Sequence, residues 1–510
     1  MHSIPLPEAG HDLTPAFADA ATARAWLAGL PATQPLPLLA AITEQVAAID
    51  GATLAPPLAV ELLNLLRTAA MPALEAIAPR YLRKPLPMAA DDLRHFELAQ
   101  RLLLGLGIAY LRRIPELGAA ERALPLNRAA CALRMAQYCH FAAARECPPL
   151  LDRLLFAVLA AGEADQLLGA GLADPDFPHF GQANIAGHLA WAFILRLIDP
   201  YRLSAAQLTV ANRAISRWRE LATFQTAPDD DPRAHSVDLS PFGGGALPAG
   251  VPRWLEVRRI VRKIEQRIAG LQGGETPENL KLGRELSAAA CIRLLRDIEL
   301  GLESHARPDA TEIGDIELAF GAEHAFSVFT GEALNTPGSL DAASASLAHQ
   351  RVAMFGFDRL SSMPTAVKKL NIPGEMWTLV DGRALRPADR AGARRLSPCL
   401  IAAIRDELPR LGVMGGLQIK ADGALSAELT WYDEAVEVCR VARPAGREQQ
   451  PATPVFLLHD GPAMSMIVPA TAGVRLFSKV ALDGCAHGHV APTEVLERGV
   501  DFVRYAVKRQ

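Results

Sequence analysis

Five arginines are concentrated in one short segment of the C-terminal part of the chain. They are Arg383, Arg386, Arg390, Arg394 and Arg395, and Asp381 lies just before them. The segment lies between two predicted strands, and guanidinium groups on a loop can bind phosphate or carboxylate groups with two hydrogen bonds each. The alternative is a solvated loop in a chain that uses far more arginine than lysine. We predict an anion-binding loop that uses Asp381, Arg383, Arg386 and Arg390.

A second candidate site combines two short motifs in the middle of the chain. Arg213 and Arg217 form an RxxxR pattern, which on a helix places both side chains on one face. A DxSxxG pattern follows it, formed by Asp238, Ser240 and Gly243. Together the two motifs form a second candidate ligand-binding site. The alternative is that Asp238 and Ser240 only order a loop through hydrogen bonds from side chain to backbone.

One cluster of metal-ligating residue types is visible in the sequence. Cys485, His487 and His489 lie close together beside Asp483, and alternate residues on a strand share a face. No second cluster of similar spacing accompanies them, and we predict no metal site. The chain also contains no phosphate-binding GxxxxGK[ST] loop and no GxSxG motif around a nucleophilic serine. We therefore expect a protein without enzymatic activity.

The composition excludes several classes of protein. The chain has 510 residues, of which 50% are hydrophobic and 21% are charged, so it can bury sizeable cores. A net charge of −4 provides no overall positive field for nucleic acid. No apolar run is long enough to span a membrane, and no signal peptide is seen. Seven scattered cysteines without a CxxC pair are typical of thiols in the cytoplasm.

The hydrophobic period changes along the chain and predicts helices followed by strands. Helical periods fill the first part, with a loop at 225–250, and their spacing resembles an array of helix pairs. From about residue 376 the period alternates, and Asp422-Gly423 is a strong hairpin signal between two strands. We predict an α-then-β fold with a small antiparallel β-barrel at the C-terminus. The predicted divisions are 1–90, 91–334, a linker with a helix at 335–375, and the barrel domain at 376–510.

The arrangement resembles a group of proteobacterial cytoplasmic proteins whose C-terminal domain is PilZ-like. The likeness lies in the order of helical part and barrel and in a few local segments, namely Tyr81–Pro87, Phe355-Gly356, Glu375–Asp381, and Leu411–Val413 with the turn Asp422-Gly423. PilZ domains that bind cyclic di-GMP have RxxxR just before the barrel and [D/N]xSxxG after its first strand. Here Arg383 and Arg386 occupy the serine and glycine positions of the second motif, so the standard motif is degenerate. The upstream motifs, Arg213 with Arg217 and Asp238 with Ser240 and Gly243, match both patterns literally, so the resemblance implies a nucleotide site there.

The resemblance implies a cytoplasmic signalling or adaptor protein that can respond to cyclic di-GMP as a regulatory ligand. The helical part is then expected to bind a protein partner. The alternative is an interaction scaffold whose barrel binds no nucleotide. No other cofactor, no nucleic acid and no membrane span is expected.

Overall fold

The structure of the chain is a computed structural model. It describes most of the sequence, in the following ranges: 6–10, 14–174, 182–229, 231, 235–242, 253–303, 313–332, 334, 374–442, 452–461 and 463–509. Gly243, Phe355-Gly356 and most of the predicted linker at 335–375 lie outside these ranges.

The first part of the chain is helical. Its α-helices are α1 Ala20–Ala28, α2 Pro35–Gly51, α3 Pro56–Tyr81, α4 Ala90–Arg113, α5 Ala123–Ala142, α6 Pro149–Ala164, α7 Ile185–Leu197, α8 Ala205–Trp218, α9 Arg258–Gln272 and α10 Ala288–Glu303. Two short strands, β1 Leu172–Ala173 and β2 Gln182–Ala183, pair before α7. A small antiparallel sheet of β3 Thr223–Gln225, β5 Trp254–Glu256 and β4 Ser236–Asp238 follows α8. Helix α4 packs on α2, α3 and α5.

The second part of the chain contains two closed antiparallel barrels of six strands each. Barrel 1 consists of β6 Gly314–Phe320, β7 Glu375–Val380, β8 Arg383–Arg386, β9 Cys399–Arg405, β10 Leu408–Ile419 and β11 Leu425–Trp431, in the order β10-β11-β8-β7-β6-β9. Barrel 2 consists of β12 Ala435–Val441, β13 Pro454–Asp460, β14 Ala463–Pro469, β15 Val480–Asp483, β16 His489–Arg498 and β17 Phe502–Arg509, in the order β12-β13-β14-β17-β16-β15. Helix α11, Ala322–Thr330, follows β6.

The predicted α-then-β fold with an antiparallel barrel is confirmed, and a second barrel is added to it. The hydrophobic period indicated many short strands but not which strands belong to which barrel. The alternation of apolar and polar residues identifies a single strand and does not identify its neighbours in the sheet. The first strand of barrel 1 comes from residues 314–320, and it pairs with β7 across more than fifty residues of sequence. Such a long connection leaves no local signal.

Several local signals also agree with the structure. Ser204 and Gln207 have the spacing of a capping box, and they cap α8 at its N-terminus, with each side chain bonded to the other's backbone. The Asp422-Gly423 turn joins β10 to β11, and Gly423 has a φ of 85°, a backbone conformation that glycine adopts without strain.

The chain groups into two compact units. The helical unit comprises Met1–Arg307 with Gln418–Gly423, and the β unit comprises Pro308–Leu417 with Ala424–Gln510. Within the β unit, Phe326 of α11 shares one apolar core with Leu400 of barrel 1 and with Phe456 and Phe502 of barrel 2. The two barrels are therefore joined by a common core. In the described part of the chain, no helix is both long and apolar enough to cross a membrane.

Candidate functional site

The predicted arginine loop comprises the β7–β8 hairpin of barrel 1 and the residues between β8 and β9. Asp381 and Gly382 form the turn between β7 and β8, with positive φ angles of 49° and 73°. Arg383 and Arg386 lie three residues apart on β8, so their side chains leave opposite faces of the strand. The hairpin does not direct these two guanidinium groups at one ligand.

Protein groups already hold both of these arginines. Arg383 donates to Ser426 Oγ at 2.7 Å, to Glu428 Oε1 at 2.9 Å and to the Gly416 carbonyl at 2.8 Å. The buried Arg386 donates to Glu375 Oε2 at 2.7 Å and to the Ala393 carbonyl at 3.1 Å. These contacts fasten strands of the barrel together.

Glu375 is the centre of this network. Its other oxygen accepts from Arg395 Nη2 at 2.6 Å and from the Ala393 amide at 2.7 Å. Burial opposes the charge of Glu375, but the hydrogen bonds from Arg395 and Ala393 outweigh it and leave the pKa of Glu375 below its ordinary value. Within the described ranges, the contacts of Arg390 are long, 3.4 Å to the Met376 carbonyl and 3.5 Å to Thr378 Oγ1, and Arg394 is exposed. These two are the arginines of the segment that remain accessible to an anion.

The second predicted site is divided between two places in the fold. On α8, Arg213 pairs with both oxygens of Glu285, at 2.7 Å for Oε2, while Arg217 is exposed. Asp238 ends β4, and its Oδ1 accepts from Ser240 N at 2.8 Å and from Ser240 Oγ at 2.5 Å. The loop-ordering hydrogen bonds offered as the alternative are thus present. Gly243 lies outside the described residues, and the described residues of the two motifs share no hydrogen bond or ion pair.

The helical unit contains a group of buried charges that the sequence did not single out. We call it the guanidinium cluster, and it consists of Arg67 on α3, Arg128 and Arg134 on α5, and Arg219 after α8, around His188 and Trp191 on α7. Each of the four arginines is at most 8% exposed, and His188 is 2% exposed. Four guanidinium groups thus meet in the interior of one helical unit.

The aromatic ring of Trp191 contacts two of the four arginines of the cluster. The guanidinium carbon of Arg134 lies 3.5 Å from the centre of the ring, and that of Arg219 lies 5.5 Å from it. The indole Nε1 donates to Asn212 Oδ1 at 2.9 Å, which fixes the orientation of the ring. A cation this close to a tryptophan face gains about 2 kcal/mol when water is excluded.

The carboxylates are unevenly distributed over the cluster. Asp174 Oδ2 accepts from both Arg67 and Arg128 at 2.5 Å, and Glu220 lies 3.4 Å from Arg219. Among the described residues, no carboxylate pairs with Arg134. Its Nε is buried without a hydrogen-bond partner in the described part of the chain, and so are Arg128 Nε and Asp174 Oδ1. A buried charge without a counterion is costly, so this place suits an anion.

The positive charges also act on the histidine. Burial, reinforced by the neighbouring Arg134 and Arg219, lowers the pKa of His188 well below its ordinary value. The imidazole is therefore neutral at physiological pH. Its Nδ1 is buried and has no hydrogen-bond partner among the residues that the structure describes, which leaves one further polar group facing the interior.

Helix geometry explains how the cluster forms. Arg128 and Arg134 are six residues apart on α5, on either side of Cys131, and His188 and Trp191 are three apart on α7. Helix α5 is buried almost throughout, so arginines anywhere along it enter the interior. An arginine within an apolar helix is the one signal of this cluster in the sequence. The helical period alone does not reveal it, because it does not say that every face of the helix is covered.

An open cleft of about 440 Å³ lies at the edge of the helical unit, beside β3. Its lining includes the carboxylates of Glu163 and Asp229 together with Phe224. Two negative charges repel a phosphate, so the cleft does not suit an anionic ligand.

Comparison with known families gives one match. Residues 20–230 match the family model described as the N-terminal domain of the cyclic-di-GMP receptor FimW. The matched range contains all members of the guanidinium cluster and the first predicted motif, Arg213 and Arg217, but not the barrels. No match was found among curated proteins or among solved structures.

Proposed function

We propose that this protein is a non-enzymatic signalling effector that binds cyclic di-GMP as a regulatory ligand and passes the signal to a protein partner. The match of residues 20–230 to the N-terminal domain of a cyclic-di-GMP receptor carries the proposal. We place the effector in the cytoplasm, where its seven free cysteines would remain thiols. Because the [D/N]xSxxG motif of barrel 1 is degenerate, we place the ligand site in the helical unit.

The chemistry of the guanidinium cluster suits this ligand. Cyclic di-GMP carries two phosphodiester charges and two guanine bases. Arginine pairs with phosphate oxygens bidentately and also with O6 and N7 of guanine. Arg134 is stacked on Trp191 and pairs with no carboxylate of the described residues, so it has donors and a flat face to offer. We therefore propose the cluster as the place where the ligand's charge is recognised.

The residues singled out by sequence remain secondary proposals. Arg217 on α8 is exposed, and Arg390 with Asp381 lies at the accessible edge of barrel 1. Either place could contact the ligand or an acidic partner surface. The helical unit is proposed as the partner-binding part, and recovery of a partner from lysate should differ with and without cyclic di-GMP.

Calorimetric titration of the full chain tests the proposal. We expect cyclic di-GMP to bind with a Kd of about 1 μM, equivalent to about 8 kcal/mol, whereas cyclic di-AMP and GTP bind far more weakly. Binding should weaken at higher salt wherever the contacts are open to solvent. The absence of any nucleotide binding would instead support the scaffold without a ligand.

Matched variants locate the site. Arg134→Lys keeps the charge but loses the planar donor fork, and we expect it to weaken binding at least about tenfold. Arg153→Ala removes an exposed arginine of α6 and should leave the affinity unchanged. Arg217→Ala tests the first predicted motif. If Arg217→Ala abolishes binding and Arg134→Lys, shown by circular dichroism to be folded, does not, the ligand binds at α8.

A further inference from the structure

Three metal-ligating side chains meet at one end of barrel 2. Glu437 lies on β12, His459 lies on the neighbouring β13, and His487 lies in the turn between β15 and β16. In the register of the two strands, Ala435 is opposite His459 and Glu437 is opposite Leu457, so the two ligating residues are diagonal neighbours. Three separate segments of chain thus contribute one side chain each.

The distances between these groups are short. One ligand atom from each residue lies within 4.8 Å of the other two. His459 Nε2 is 3.1 Å from Glu437 Oε2, and the rings of His459 and His487 are 5.8 Å apart between centres. Ligand atoms around a zinc ion are each about 2.0–2.2 Å from the metal, so side-chain movements of about 1 Å would complete the geometry.

The surroundings hold the carboxylate in place. The other oxygen of Glu437 accepts from the amide of Ala486 at 3.0 Å. This hydrogen bond, with His459, lowers the pKa of Glu437 below its ordinary value. The site is half-open, with the Glu437 side chain 30% and the His459 side chain 24% exposed, so an ion can enter from solvent.

Two thiols lie beneath and beside the three residues. Cys439 follows Glu437 by two residues on β12, so the two side chains lie on the same face of the strand. Cys439 packs in the apolar core of barrel 2 together with Leu457. Cys485 Sγ donates to the carbonyl of His487 at 3.1 Å and so orders the turn that carries this histidine. The core below and the ordered turn above restrict how far the ligands can move.

We propose that Glu437, His459 and His487 bind a divalent transition-metal ion, with Zn²⁺ as the occupant. Two imidazole nitrogens and one carboxylate oxygen form a donor set that zinc accepts, with a fourth position open to water. Alkaline-earth ions prefer sets made only of oxygen, so Mg²⁺ and Ca²⁺ are disfavoured. A bound ion would tie the β15–β16 turn to the β12–β13 hairpin.

The experiment uses the full chain, without an affinity tag, after treatment with a chelator. We expect titration with ZnCl₂ to show one saturable site and to raise the melting temperature of the β unit, because a ligand that binds only the folded state stabilises it. MgCl₂ should do neither. Failure of Zn²⁺ to bind, or the same response to Mg²⁺, would overturn the proposal.

Variants separate this site from ordinary surface histidines. His459→Ala and His487→Ala should each weaken Zn²⁺ binding at least about tenfold, because a ligand is lost outright, and losing even a group that only orients a ligand costs about 10–100-fold. His489→Ala is the matched control, because it belongs to the cluster visible in the sequence but not to these three residues. Zinc binding that depends on His489 and not on His459 would overturn the proposal.

A final pair of variants distinguishes a metal site from a simple ion pair or a thiol site. Glu437→Gln should lower Zn²⁺ affinity while the apo protein keeps its circular dichroism spectrum. Cys485→Ser should leave the affinity within about threefold of the unaltered chain, because its thiol orders the turn without being one of the three ligands. If Cys485→Ser abolishes binding and Glu437→Gln does not, the donor set proposed here is wrong.

Discussion

Arginine has opposite roles in the guanidinium cluster of the helical unit and in the arginine hairpin of barrel 1. In the hairpin, Arg383 is paired with Glu428, while Arg386 and Arg395 are both paired with Glu375. In the cluster, Asp174 forms ion pairs with two buried arginines, Arg67 and Arg128. Among the described residues, no carboxylate forms an ion pair with Arg134. The hairpin uses arginine to build a barrel, and the cluster accumulates positive charge in an interior.

The number of arginines in a segment therefore does not measure its capacity to bind an anion. What matters is how many carboxylates the fold brings to them. Five arginines crowd the hairpin segment, yet three of them are already paired. The cluster is dispersed over several elements of the chain and, within the described ranges, keeps a guanidinium without a counterion. Variants that alter the carboxylates test this contrast directly.

The largest effect is expected from removing the carboxylate of the cluster. Asp174→Asn leaves Arg67 and Arg128 buried beside a neutral amide, and we expect the helical unit to lose about 3–5 kcal/mol of stability. Hydrogen exchange measured by mass spectrometry reports the stability of each unit separately. Asp91→Asn, which breaks an exposed pair with Arg80, is the control and should cost less than about 1 kcal/mol. Equal losses for the two variants would show that the buried charge is already compensated.

The next effect concerns the carboxylate that organises the hairpin. Glu375→Gln weakens charged hydrogen bonds to Arg386 and Arg395 at an oxygen pair that is mostly buried. We expect the β unit to lose about 2–3 kcal/mol. The matched variant Glu428→Gln removes the more exposed partner of Arg383 and should cost about 1 kcal/mol or less. If Glu428→Gln proves the more damaging variant, Glu375 is not the centre of the network.

Two carboxyl groups, Asp152 in the helical unit and Glu375 in the β unit, should contribute to stability with opposite dependence on pH. Burial raises the pKa of Asp152 in the helical unit to about 6, although Arg196 opposes the shift. A raised carboxyl pKa means that its contribution to stability is full below about pH 4 and is lost as the pH rises through about 6. The lowered pKa of Glu375 has the reverse sign, so its contribution is present at neutral pH and is lost on acidification.

The measurement is the stability of each unit from pH 8 down to about pH 3, because the loss due to Glu375 falls below the ordinary pKa of a glutamate carboxyl. Asp152→Asn should flatten the fall in stability of the helical unit by about 2–3 kcal/mol, because a tenfold difference in proton affinity between the folded and unfolded states corresponds to about 1.4 kcal/mol. Glu375→Gln should flatten the acid-side loss in the β unit. A helical unit whose profile is unchanged in Asp152→Asn would contradict the raised pKa.

The smallest effect is expected at the exposed end of the hairpin segment. Replacing Arg390 and Arg394 together with alanine removes two weakly held cations, each worth about 0.2–1 kcal/mol in an exposed contact. We expect the affinity for cyclic di-GMP to change less than about threefold at physiological salt. A loss of tenfold or more, seen at both low and physiological salt, would move the ligand site from the cluster to barrel 1.

The α-then-β order and much of the local structure could be predicted from the residues alone. Helix α4 has Asp91 and Asp92 in its first turn and Arg112 and Arg113 in its last, the charges that favour those ends of a helix. The Asp422-Gly423 turn lies where two alternating runs meet. These features are local, because a cap or a turn is stabilised by residues within a few positions of one another. The predicted domain divisions, among them the barrel domain at 376–510, stay predictions.

Which charged residues meet depended on the tertiary structure. The sequence groups His489 with Cys485 and His487 because they are close along the chain, whereas the fold brings in Glu437 and His459 from strands β12 and β13. Arg67 and Asp174 touch across 107 positions of sequence. Contacts between distant segments depend on strand register and on which helix faces are covered. Neither the register nor the covering of a helix face leaves a pattern in the neighbouring sequence of the two residues in contact. The proposed sites of this protein consist of such contacts.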